Sequence, residues 1–167
     1  MAIIAALAAT GVEAIIASDL SPARRASATA MGAHVVVDPV VDDVWDAWRA
    51  AGDGLAPPVV YEAVGVPGMI DQLMRAAPNR TEILVAGVCI PPDAFHPSYG
   101  IFKHLSLRFV LGWTPEEFQA SLHSLAEGRI DGASLVTGQV GIDGVPQAFA
   151  DLADPEEHIK ILVRPEL

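Results

Sequence analysis

Apolar positions in this chain fall into short unbroken runs, separated by segments whose apolar residues recur at helical spacing. The spacing of Ile3, Ile4 and Leu7 predicts a helix over residues 2–10, stopped by Gly11. Residues 13–18 read as a short strand bearing isoleucine. Ser21 is an N-cap type and Pro22 a favoured first helical residue, so ARRASATAMG predicts a helix closed by Gly32. A β-branched strand follows at 34–37, then an acidic helix at 44–51 that Pro57 and Pro58 end. The strand 59–63 runs into Gly65, and a helix follows at 69–77. EILVAGV (82–88) reads as a strand, 90–98 as a Pro-rich loop, and 105–111 as another strand.

Thr114 then caps TPEEFQASLHSLAEG, with Pro115 first, Glu116 and Glu117 in the opening turn and Gly128 at the end. The last part predicts a strand near Val140, a short helix at 145–152 and a final strand at 159–163. No internal repeat or low-complexity segment interrupts the series. Strands alternating with helices predict an α/β fold around a parallel sheet, whose strands, buried on both faces, read as continuous apolar runs.

Composition fits that reading. The 167 residues are 51% hydrophobic but only 6% aromatic, and the length allows one domain with a sizeable core. A net charge of −11 argues against nucleic acid or an anionic membrane as partner, since both call for a basic face. It also repels a phosphorylated ligand at long range, so local dipoles and a few placed cations must hold one. One cysteine, Cys89, excludes an internal disulfide and a cysteine-cluster metal site, and a reducing, cytoplasmic setting is expected. The opening MAIIAALAATG lacks the basic flank of a signal peptide, and no run is long enough to span a bilayer.

The chemistry begins in IIASDLSPARR, where an apolar run ends on Asp19. In a doubly wound α/β sheet, the acid at the tip of the second strand binds the adenosine ribose 2′-hydroxyl of NAD. Asp19 occupies that kind of position; the plainer alternative is an acid stabilised at a helix N-terminus. The histidines at 34, 96, 104, 123 and 158 are scattered. Asp93, His96 and Cys89 share a loop as a loose set, short of the four ligands a structural zinc needs. No metal site is expected.

ASDLSPARRASATAMGAHVVVDP, VVYEAVGVPGMIDQLMRAA and EILVAGV occur in order, followed by FKHLSLRFVLGW, EEFQASLHSLAEGRID and AFADLADPEEHIKILVRP. This ordered set resembles the C-terminal half of medium-chain dehydrogenases, the zinc alcohol/polyol dehydrogenase superfamily, over nearly the whole chain. The resemblance implies an NAD(H)-binding part of an oxidoreductase moving hydride between an alcohol and nicotinamide. NADP is disfavoured by the charge of Asp19. By the same resemblance, Arg24 stands beside the adenosine ribose. Ala63, Val64 and Gly65 pass the adenine-side ribose and the nicotinamide, Ala86, Gly87 and Val88 meet the nicotinamide carboxamide, and Lys160 reaches the pyrophosphate. The strand 105–111, from Leu105 to Leu111, would be a sheet edge that pairs with its copy across a homodimer.

The departure lies at the start. The family's cofactor domain opens with a strand and G-x-G-x-x-G, whereas MAIIAALAATG resembles the body of the helix that follows. The implied fold is a Rossmann-like doubly wound parallel sheet lacking its first, central strand and its glycine fingerprint. Residues 1–135 would form an incomplete NAD-binding domain, and 136–167 the segment that in the family returns to the catalytic domain. Zinc is expected only in that other domain. The reading is of a partial chain, inactive alone and marginally stable, its edges at 13–18 and 59–63 unpaired or closed on each other. The alternative is a non-catalytic remnant that dimerises through its edge strand with weak or no cofactor binding. A methyltransferase-like binder and a zinc-free reductase of the same superfamily are further readings. The substrate is not legible, because likeness of fold does not specify it.

Overall fold

The computed structural model describes residues 1–52 and 56–167. Contacts divide the chain into two compact units, one of Met1–Ala51 with Pro115–Leu167 and the other Gly52–Thr114.

In the first unit, α1 (Ala2–Ala9) ends where Gly11 turns left-handed at φ +78°. Strand β1 (Ile16–Ser18) pairs in parallel with β2 (Val35–Val37), setting Ile16 against Val35 and Ser18 against Val37. The helix between them, α2 (Pro22–Ala30), starts as expected. Ser21 Oγ accepts the Arg24 N–H at 3.0 Å, a cap worth about 1 kcal/mol. Its end needs Gly32, at φ +105°, because a Cβ there would lie 2.6 Å from Ala8 Cβ. Ile15, Ala28 and Ala33 form a small core, with Ile4, Leu7 and Ala17 against it. Helix α3 (Val44–Ala51) buries Trp45.

The same unit holds α6 (Pro115–Ala126), with Glu116 and Glu117 in its first turn. It also holds a short parallel pair, β6 (Gly138–Val140) with β7 (Ile161–Val163), and α7 (Val145–Asp151).

The second unit is a parallel sheet in the order β3 (Val59–Glu62), β4 (Glu82–Val85), β5 (Ser106–Phe109). Its central strand is buried, which accounts for the unbroken apolar run ILV. Ile83 and Val85 form the core with Ile70 and Met74 of α4 (Met69–Ala76). Among the described residues, β1 pairs only with β2 and β3 only with β4.

Two differences from the sequence reading have clear causes. A helix not expected from the sequence, α5 (Pro97–Lys103), takes the last two residues of the Pro-rich loop and the stretch before β5, with Pro97 in its first turn. Seven residues with a central glycine show no helical period. Helix α5 packs beside α4, where a Cβ added at Gly100 would make ordinary contact with Met74 Cε at 3.4 Å. The strand expected at 82–88 stops at Val85 because Ala86 N and Gly87 N both turn onto Glu62 O, at 2.8 and 2.9 Å.

Lys103 closes α4. Its ammonium donates to Met74 O at 3.3 Å, to Ala77 O at 3.0 Å, and to Arg75 O. A cation on the last carbonyls satisfies orphan acceptors and complements the helix dipole. Lys103→Met should lower stability by about 1–2 kcal/mol in urea unfolding. An unchanged midpoint would show that water caps these carbonyls equally well. At the other end of α4, the His96 ring and backbone N–H hold the Asp71 carboxyl below its ordinary range, both at 2.8 Å.

Candidate functional site

Asp19 follows β1 directly and is half-buried. Its N–H donates to Val37 O at 3.3 Å, tying it to the end of β2. Its Oδ1 accepts the Ser21 N–H at 2.9 Å, which turns the chain into α2. Among the described residues no hydrogen bond engages Oδ2. The result is a carboxylate at the carboxyl end of a parallel strand, oriented by its own turn, with one oxygen available to a ligand.

The neighbouring arginines have different duties. Arg25 forms an ion pair with Asp38 at 2.9 Å and donates to Asp19 O and Leu20 O, both at 2.8 Å. That network braces the turn and commits the guanidinium. Arg24 is half-buried, and among the described residues its side chain makes no ion pair. Lys160, at the entry to β7, has its backbone held by Thr137 while its side chain is exposed.

In the second unit, residues 63–65 and 86–88 meet at the carboxyl ends of β3 and β4, with Gly65 at φ +70°. A Cβ on Gly65 would lie 2.6 Å from Val88 N and 2.8 Å from Val88 O. One on Gly87 would strike Gly65 N and lie 2.6 Å from Glu62 Oε2. The two turns thus pack backbone to backbone, which no other residue type permits. Ala63, Val64 and Val88 are exposed, while Gly65, Ala86 and Gly87 are half-buried.

Glu62 organises this junction, and the sequence reading passed over it. It is buried, and its Oε1 accepts the N–H groups of Val64 and Gly65 at 2.7 and 2.8 Å. Its main-chain carbonyl takes the other turn, at Ala86 and Gly87. A glutamate closing a strand reads as a solvent-facing residue. The available signal was the glycine that follows each strand, Gly65 after β3 and Gly87 after β4.

Among the described residues, no three His, Cys, Asp or Glu side chains converge as a metal site. Among the described residues no donor set fits zinc, which needs about four such ligands.

Residues 1–127 of the 167 match the family described as zinc-binding dehydrogenase. The chain belongs to that family. Over 164 residues it is 30% identical to (R,R)-butanediol dehydrogenase of Bacillus subtilis, covering 98% of this chain and 47% of that protein. The crystal structure of the Bacillus subtilis 2R,3R-butanediol dehydrogenase superposes with a TM-score of 0.81, over 98% of this chain and 47% of that one. L-idonate 5-dehydrogenase of Escherichia coli is similar at 27% identity and TM-score 0.81, over 97% of this chain and 46% of that one. The zinc-binding dehydrogenase chain therefore spans about half the length of these relatives, aligning with their C-terminal half. Its α/β architecture with parallel strands is that of their Rossmann-like domain.

Proposed function

We propose that this chain is the NAD(H)-binding portion of an alcohol- or polyol-oxidising dehydrogenase. The observation that carries the reading is Asp19. It stands at the carboxyl end of β1, fixed by Ser21 N–H, with Oδ2 unengaged among the described residues. That is the geometry by which a carboxylate accepts hydrogen bonds from the two hydroxyls of an adenosine ribose. Arg24 lies one helical turn onward and supplies a cation beside the ribose. By the family resemblance, the turn at 63–65 borders the adenine-side ribose and the nicotinamide, the turn at 86–88 meets the nicotinamide carboxamide, and Lys160 meets the pyrophosphate.

When bound, the nicotinamide carries the hydride exchanged with the alcohol carbon. The chain's own residues bind and orient the dinucleotide and contribute no group to the alcohol, so the chain alone is inactive. Relatives named for butanediol, L-idonate and L-threonine support small alcohols as the substrate class, and the L-idonate enzyme's name carries NAD(P)(+). No helix among the described residues is long and apolar enough to cross a membrane; the cytoplasmic setting rests on the sequence's single cysteine.

A second reading is a non-catalytic dimer. Strand β5 pairs only with β4 among the described residues, and Phe109 and Leu111 beside its free edge are 64% and 93% exposed. A copy of the strand across a two-fold axis would cover that edge.

One experiment separates the readings: NADH fluorescence titration of the purified protein, with sedimentation equilibrium on the same sample. Saturable binding supports the dehydrogenase reading whether or not the protein dimerises. A dimer that leaves NADH fluorescence unchanged supports the second reading and ends the first.

A further inference from the structure

The N-terminus of α2 is closed by the protein's own groups, drawn from two distant parts of the chain. Its opening turn presents N–H donors at Ser21, Ala23, Arg24 and Arg25, since Pro22 has none. Ser21 N donates to Asp19 Oδ1 at 2.9 Å, Arg24 N to Ser21 Oγ at 3.0 Å, and Arg25 N to Ser21 O at 3.0 Å. The fourth donor, Ala23 N, is taken by Glu156 Oε2 at 3.2 Å, from 133 residues away.

The backbone that carries Glu156 is held in place. Glu156 N donates to Asp154 Oδ1 at 2.9 Å, forming a tight turn through Pro155. Pro155 O in turn accepts the Ser21 hydroxyl at 3.4 Å. The loop Asp154, Pro155, Glu156 thus docks on the first turn of α2 at two points and brings an acid to the positive end of the helix.

Helix N-termini attract anions because their N–H groups and dipole point outward. We propose that Glu156 is a specificity-determining residue: with Asp19 it closes the α2 N-terminus to the 2′-phosphate of an NADP-type dinucleotide. This rests on the NAD(H) reading of Asp19. A phosphate on the ribose 2′-oxygen needs N–H donors and guanidinium groups to replace its water. It would find every first-turn N–H engaged and two carboxylates facing it, with Asp154 and Glu157 flanking the second. Arg25 is committed to Asp38, Asp19 O and Leu20 O, which leaves Arg24 as the available guanidinium of the turn.

The two acids differ in what they discriminate. Asp19 attracts the ribose diol as well as repelling phosphate. Glu156 is already spent on Ala23 N–H and acts against phosphate alone. Its removal should therefore move the affinity for one nucleotide and not the other, which a merely structural role would not do.

The test measures NADH binding by fluorescence titration and NADPH binding by displacement of NADH, in wild type, Glu156→Gln and Glu156→Ala. Glu156 is exposed, so both variants should fold, as circular dichroism would verify. Glu156→Ala frees the Ala23 N–H and removes the charge, and should tighten NADPH about three- to tenfold with NADH unchanged. Glu156→Gln removes only the charge and should give a smaller gain that shrinks with added salt. Equal NADPH affinity in all three proteins, with NADH bound normally, overturns the inference alone. So does a wild type that holds NADPH as tightly as NADH. A wild type that binds neither nucleotide overturns the NAD(H) reading and this inference with it.

Discussion

Gly87→Ala should destabilise the 52–114 unit by about 2–4 kcal/mol, the largest single-residue loss expected in the chain. The added methyl would meet Gly65 N, Gly65 Cα at 2.8 Å and Glu62 Oε2 at 2.6 Å. Two of those atoms are backbone, and the third belongs to a buried carboxylate already holding Val64 N and Gly65 N. Relief would require the β3 turn to move away from the β4 turn, breaking the bonds from Ala86 and Gly87 to Glu62 O. Urea unfolding should show a lower midpoint with an unchanged slope. Gly100→Ala is the matched control. Its methyl would reach Met74 Cε at 3.4 Å inside α5, so helix propensity should make it neutral or slightly stabilising. If both variants unfold alike, the backbone contact at 65 and 87 is not tight in solution.

Asp19→Ala carries the largest expected effect on binding. A charged acceptor to ribose hydroxyls contributes about 1.5–3 kcal/mol, so NADH affinity should fall about 10- to 100-fold. Alanine also releases Ser21 N–H and loosens the entry to α2. Asp19→Asn keeps an acceptor for that N–H while removing the charge, and so isolates the electrostatic part. Asparagine should lose less NADH affinity than alanine and gain for NADPH, because the repulsion of a 2′-phosphate is gone. NADH titration with circular dichroism on each variant checks this. Undiminished NADH affinity in a folded Asp19→Ala protein would remove Asp19 from the site and leave the dehydrogenase reading without its principal support.

What the sequence by itself determined is local. Ser21 with Pro22 dictates where α2 begins, Gly11, Gly32 and Gly128 mark where helices end, and the ILV run marks a strand buried on both faces. Each follows from interactions within a few residues, such as caps, turn conformations and the period of apolar positions. The place of Asp19 at a strand tip was legible for the same reason. So was the family, because its segments recur in order along the chain.

Only the tertiary structure decided the rest, because it depends on residues far apart in the chain. Only the family resemblance separates Arg24 from Arg25 in the sequence, and in the structure it is Arg25 that Asp38 claims. Glu62 reads as a polar strand end until Gly87 approaches and the fold encloses it. Helix α5 has no period to reveal it, and Lys103 at its end caps α4. Glu156 becomes meaningful only when the turn at 154–156 reaches Ala23 N–H. Propensity and capping act over one turn of chain. Burial, close backbone approach and competition for a charge are settled by which distant residue arrives.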